Sequence, residues 1–400
     1  MIRRREFLAA GALATACGRA PAGLIDRVEN TVIWRGRDTG APTWFHPRSC
    51  RLGDGTLVMA VQTISGSDVF GPVHWSESRD QGAAWSDPRP IPGLGRRTHA
   101  DGVEEGVCDT VPQQHSGAGA VIFMGWNVYY RDGKLTRPND TRWPVYVVRR
   151  PDGSWTEPAK LEWDDPAAAA IYGSNCSQRL LLPNGDLLIP LTHAPYDQPD
   201  RGVTVVRCSF DGERIAVKER GNTLRLGVKR GLLEPSLTRL PDGRFAMTIR
   251  AEDDRGYVSV SSDGLRWSGQ KPWTWDNGEP LTMSTTQQHW LEHSAGPYLA
   301  YTRKAEANVN VMRWRAPLYA ARVDPSRMAL VRATETVIVP MSGDGVNAPD
   351  TVARLGNFHP VAVSPRVSIV TVGETMPARG YSGNTLQAAI HWNTPNALVS

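Results

Sequence analysis

Six times along the chain, two short apolar runs face each other across a tight polar turn. The clearest copies are Arg51-Leu52-Gly53-Asp54-Gly55-Thr56-Leu57, Leu181-Leu182-Pro183-Asn184-Gly185-Asp186-Leu187 and Arg239-Leu240-Pro241-Asp242-Gly243-Arg244-Phe245. Asp-Gly or Asn-Gly between apolar runs predicts a hairpin, because these residues reach positive φ at little cost. Weaker copies set Ser116-Gly117 before Val121-Ile122-Phe123-Met124, Ser294-Ala295-Gly296 before Tyr298-Leu299, and Ser364-Pro365 before Val367-Ser368-Ile369-Val370. The turns fall near residues 54, 117, 184, 242, 295 and 365, at separations of 63, 67, 58, 53 and 70. No helical period intervenes. Six antiparallel units of similar size predict an all-β, six-bladed β-propeller, which hides its strand edges by radial repetition.

Composition agrees. The 38 Gly and 30 Pro exclude a helical bundle, and 40% hydrophobic residues supply a core. Four hundred residues suggest two or three domains, but the regular spacing reduces them to one propeller over residues 30–395 behind a leader over residues 1–20. The formal charge of +4, from 45 Lys+Arg and 41 Asp+Glu, comes without a basic block beyond the first residues, so no nucleic-acid partner is expected. In the leader, Arg4-Arg5-Glu6-Phe7-Leu8 and the short apolar run from Ala9 to Ala16 resemble a twin-arginine export signal, too short to span a membrane. Ala14-Thr15-Ala16 offers a cleavage site, and Cys17 an alternative lipid anchor. Export to the periplasm or beyond would permit disulfides among Cys50, Cys108, Cys176 and Cys208, with buried thiols as the alternative. No Cys/His spacing suits zinc, and no metal or cofactor is expected.

In a propeller the innermost strand of each blade runs from the central cavity to the first hairpin turn, so residues a fixed distance before each turn converge on the axis. Nine residues before Gly55, Gly185, Gly243 and Gly296 stand His46, Cys176, Glu234 and Gln287. Arg48, Asn175, Gln178, Gln288, His289, Asp109 and His115 fall at similar heights, and the returning strands add Asn127, His193, Arg250 and Arg303. With His359 in the last unit, this set is more polar than packing requires. Trp126, Trp143, Trp290 and Trp314 are read as inter-blade packing, with sugar stacking as the alternative.

A second repeat narrows the field. Ser78-Arg79-Asp80-Gln81-Gly82-Ala83-Ala84-Trp85 fits S-x-D-x-G-x-x-W throughout; Ser261 to Trp267 is a shortened version and Pro151 to Trp155 a worn one. These are structural turns whose Ser and Asp bond their own backbone and whose Trp packs between sheets. In phase with six hairpins, they make residues 30–395 resemble the sialidase superfamily, whose propellers carry such Asp boxes. The resemblance implies that Glu234 is the base or activates the nucleophile, and that Arg250 and Arg315 clamp a substrate carboxylate. Asp68, in the loop Gly66–Pro72, is implied as general acid. His46, Arg48, Arg303 and His359 are expected to complete a sugar subsite. The alternatives are strand-end ion pairs for the arginines and Glu234, and a turn cap for Asp68. Two positions depart from the family. His46 stands where its first arginine falls, with Arg48 on the same side of the strand, and no tyrosine lies at Gly356-Asn357-Phe358-His359, where its nucleophile belongs. The expectation is an exported hydrolase of a terminal acidic sugar. The protein is expected to be a monomer with a glycan as its partner. The missing tyrosine and the histidines His46, His115, His193, His289 and His359 leave open a polysaccharide lyase or a hydrolase of another sugar, and a non-catalytic glycan-binding propeller is a third reading.

Overall fold

A computed structural model describes residues 23–136, 142–195 and 200–399. The leader, including Cys17, lies outside the described residues. Six antiparallel sheets are present, one for each expected unit. The first blade contains Trp44–Arg51, Leu57–Gly66, Val69–Ser78 and Arg89–Pro90; the second is built on Glu104–His115 and Ala120–Arg131; the third on Leu187–Ala194 and Gly202–Phe210. The fourth is built on Leu233–Arg239 and Phe245–Arg250, the fifth on Tyr298–Tyr301 and Leu318–Asp324, and the sixth on Arg354–Ser364, Val367–Thr375 and Thr385–Trp392. All six predicted hairpins join the first and second strands of a blade. The first strand, Ile25–Trp34, starts ahead of residue 30 and pairs with Thr385–Trp392. The two ends of the described chain thus share one blade and close the ring.

The core lies between blades. Val58, Ala60 and Trp75 of the first meet Val107, Phe123 and Val147 of the second. Leu291, Leu318 and Ile338 of the fifth likewise meet Phe358, Val370 and Ile390 of the sixth. Each fully buried side chain of this kind contributes about 1.5–3 kcal/mol. The Ser-Asp turns cap the joints. In the first, Ser78 Oγ donates to Asp80 Oδ1 at 2.8 Å and accepts from Gly82 N at 2.8 Å, while Trp85 Nε1 donates across the ring joint to Gln387 Oε1 at 3.1 Å. In the shortened copy, Ser261 Oγ and Asp263 Oδ1 bond at 3.0 Å, and Gly264 sits at φ +80°. A Cβ on Gly264 would also come within 2.4 Å of Leu188 Cδ1 in the neighbouring blade. Cys50, Cys108, Cys176 and Cys208 are free thiols. Among the described residues no helix is long and apolar enough to cross a membrane.

One backbone irregularity positions the site. The inner strands slip register between Phe45 and Arg48, Cys108 and Val111, Leu233 and Ser236, and Leu355 and Phe358. In the first four blades the inner segment also carries a left-handed residue that is not glycine: His46 at φ +54°, Asp109 at +57°, Cys176 at +49° and Glu234 at +45°. Such bulges bend a strand and re-aim a side chain, and strained φ values persist where the surroundings hold them.

Candidate active site

The bulged ends of the inner strands open on a cavity of about 650 Å³ at one mouth of the ring. His46, Asp109 and Glu234 reach it from inner strands, and Asp68, Glu252, Arg313 and Tyr381 reach it from loops between second and third strands. Asp68, Glu234, Arg250 and Arg315 therefore converge on one cavity, as the sequence implied. Asp68 sits at φ +56° in the hairpin after Leu57–Gly66, and its carbonyl accepts from the Tyr130 hydroxyl at 3.2 Å. Its carboxylate accepts no hydrogen bond from the described residues.

On the fourth-blade side, buried Arg250 donates from Nη1 to Oε1 of the partly buried Glu234 at 2.6 Å. Glu234 Oε2 is buried without a hydrogen-bond partner. Arg230 forks onto Glu252, with Nε donating to Oε2 at 3.0 Å, and this hydrogen-bonded guanidinium holds the Glu252 carboxyl down at about 2. Arg315 donates from Nη2 to Thr286 Oγ1 at 3.2 Å and has no carboxylate partner among the described residues. Burial first, and then the charges of Arg250 and Arg313, lower its pKa to about 10. A poorly solvated guanidinium next to other cations favours an incoming anion. Arg313, at φ +54°, adds charge at the rim, and its pKa is lowered by burial and by Arg250 and Arg230.

The opposite wall is apolar. Phe45, Phe70, Trp126 and Val128 form one buried cluster, flanked by Leu135. The Arg142 guanidinium lies 4.8 Å from the Trp126 ring centroid. Of the four tryptophans considered, Trp126 reaches the cavity, whereas Trp290 is fully buried between blades.

His46 sits at the base of the cavity against Phe45 and Phe70, at ring distances of 4.3 and 4.8 Å. Burial, then Arg48 and Arg315, push its pKa well below the ordinary imidazole value. Its Nδ1 lies 3.5 Å from Asp109 Oδ1 without hydrogen-bond alignment. Arg48 donates from Nη2 to Asp109 Oδ1 at 2.6 Å, and Asn357 Nδ2 donates to the same oxygen at 3.3 Å. Burial, with Glu234 and Asp68 nearby, outweighs Arg48 and raises the Asp109 pKa.

Three expected substrate contacts are placed elsewhere. Arg48 is 1% exposed and lies beneath the cavity holding Asp109, because the bulge after Phe45 breaks the alternation that would have put it beside His46. Arg303 forks onto Glu335, with bonds of 2.8 and 2.6 Å, and faces a separate surface hollow with Trp275 and Lys304. His359 lies beyond its strand's bulge, 5.4 Å from the His289 ring, and burial lowers its pKa to about 3. It lines a smaller cavity at the opposite mouth. The other histidines are structural as well: His115 bonds Gly185 O at 2.8 Å, His193 bonds Thr204 Oγ1 at 2.9 Å, and His289 bonds Ser236 Oγ at 3.0 Å. A histidine-rich rim, and with it the basis for a lyase reading, is absent among the described residues. Tyr172 and Tyr301 are tied to Leu161 O and Glu335. Tyr381, at φ +63°, is the tyrosine that lines the cavity; its place between the second and third strands of the last blade was the available signal. No cluster of metal-ligating side chains occurs among the described residues.

No family profile matches the chain, and no curated protein matches it in sequence. Solved structures do. A Dyadobacter fermentans protein of unknown function superposes with a TM-score of 0.65 at 14% identity, covering 92% of this chain and 100% of that one. A Trypanosoma rangeli sialidase mutant displaying trans-sialidase activity gives 0.62 at 14%, covering 92% of this chain and 60% of its own. The intramolecular trans-sialidase from Ruminococcus gnavus gives 0.59 at 10%, covering 90% and 97%. This chain thus spans about three fifths of the trypanosomal protein. At these identities the likeness is one of fold, and the fold is that of the sialidase-like six-bladed propellers.

Proposed function

We propose that the protein is an exported glycoside hydrolase that removes a terminal acidic sugar from a glycan. The observation that carries this reading is Arg315, a half-buried guanidinium without a carboxylate partner among the described residues, opening on the same cavity as Asp68 and the Glu234–Arg250 pair. Arg250 and Arg315 bind the sugar's carboxylate. Asp68 donates a proton to the leaving oxygen, and Glu234, through its unpartnered Oε2, serves as the base or activates the nucleophile. Export rests on the Arg4–Leu8 signal, with lipid attachment at Cys17 as the variant form.

The test is a panel of chromogenic glycosides, acidic and neutral, with the purified protein. Release from an acidic glycoside is expected, and Asp68→Asn and Glu234→Gln should each lower kcat by about 10²–10⁴-fold with the fold retained. Full activity in both variants, or product from neutral glycosides alone, overturns the reading.

A further inference from the structure

Asp109 has features that a merely structural ion pair does not need. It is held at φ +57° on the bulge of the second blade's inner strand, where it lines the cavity. Its two oxygens are treated differently. Oδ1 takes the hydrogen bonds from Arg48, at 2.6 Å, and Asn357, at 3.3 Å. Oδ2 meets the weak Cys108 thiol donor at 4.0 Å. One oxygen is therefore clamped by a buried arginine from below, which fixes the carboxylate plane and leaves the other available. Asn357 belongs to the stretch of the last blade where a tyrosine was expected, and its amide touches Asp109. Asp68 and Glu234 are close enough for their charges to act on Asp109.

We propose that Asp109 is the nucleophile of this site, and that the substrate is a hexuronide whose anomeric carbon bears no carboxylate. The proposal rests on the glycosidase reading above. A carboxylate nucleophile is repelled by a carboxylate on the carbon it attacks, so the sugar's acid group must lie elsewhere on the ring, as it does in a hexuronic acid. In the first step Asp109 Oδ2 bonds to the anomeric carbon, the bond to the leaving oxygen breaks, and that oxygen takes the Asp68 proton. A glycosyl ester of Asp109 and a free alcohol result. In the second step the Asp68 carboxylate takes a proton from water as the water oxygen attacks the anomeric carbon. The ester bond breaks, Asp109 leaves as carboxylate, and the sugar is released with retained configuration.

The test begins with wild-type protein, which avoids any folding defect. A 2-deoxy-2-fluoro-hexuronosyl fluoride should leave its adduct on the peptide containing Asp109, read by mass spectrometry. Nuclear magnetic resonance of the first product from a 4-nitrophenyl hexuronide should show retention. Asp109→Ala should lower kcat by about 10³-fold or more, and sodium azide should restore turnover as a glycosyl azide of inverted configuration, a rescue that a positioning residue would not show. An adduct on Asp68 or Glu234, or azide that leaves the variant inactive, overturns the assignment. Inverting hydrolysis that depends on Glu234, or turnover of sialosides but no hexuronide, overturns it while the glycosidase reading stands. Turnover of no glycoside at all overturns both.

Discussion

The two walls of the cavity are stabilised by different physics. On the fourth and fifth blades, Arg230, Arg250, Arg313 and Arg315 gather round Glu234 and Glu252, and hydrogen-bonded ion pairs set the positions of Arg230 and Arg250. On the first and second blades, Phe45, Phe70, Trp126 and Val128 are set by packing, with Tyr130 donating to the Asp68 carbonyl behind them. A charged wall built this way is incomplete until an anion arrives, since Arg315 has no carboxylate among the described residues. The apolar wall is complete as it stands. The cavity therefore suits a sugar whose charged substituent faces one wall and whose apolar ring face lies on the other.

The largest effect should come from breaking the charged wall. Arg315→Met keeps much of the side-chain volume and removes the charge. For an acidic glycoside kcat/KM should fall by about 10²–10³-fold, corresponding to roughly 3–4 kcal/mol for a buried charge-assisted contact. The matched neutral glycoside should change far less. Equal losses on both substrates would mean that Arg315 supports the fold rather than the charge. Next comes acid. Glu252 is depressed to about 2 by Arg230, so its contribution to stability is present above the unfolded carboxyl pKa and is lost as pH falls through 2. Urea unfolding between pH 5 and pH 2.5 should show stability falling by about 2–3 kcal/mol from this pair. In Glu252→Gln that part of the slope should vanish, whereas a variant of the apolar wall should keep it.

The contrast between the walls also explains what could be read from sequence. The six hairpins were legible because Asp-Gly and Asn-Gly turns are local chemistry. Counting back from them found His46 and Glu234 because each blade repeats the same strand length up to its bulge. The bulge itself has no sequence signature here. It adopts positive φ at His, Asp, Cys and Glu rather than glycine, and so Arg48 was assigned to the cavity and lies under it. Arg303 was misplaced for a different reason: its partner Glu335 is distant in sequence, and a long-range ion pair leaves no pattern in the chain. Tyr381 lies outside the inner strands that the hairpin count locates, because half of the site comes from the loops between second and third strands.

The smallest expected effect is also the sharpest probe of the apolar wall. Gly173 lies on the third blade behind Trp126, where a Cβ would come within 2.8 Å of the indole Cε3. Its φ is not in the left-handed region, so alanine changes nothing there except steric volume. The methyl must push the indole out of its place in the cluster with Phe45 and Phe70 on the cavity wall. Overpacking of this kind costs about 1–3 kcal/mol, and Gly173→Ala should lower stability to urea by that amount. A displaced indole narrows the space for the sugar ring, so KM should rise several-fold with kcat nearly unchanged, on acidic and neutral glycosides alike. That indifference to charge is the reverse of the Arg315→Met result. If Gly173→Ala instead discriminates between the two substrates, Trp126 acts through its Arg142 neighbour, and the two walls are one electrostatic unit.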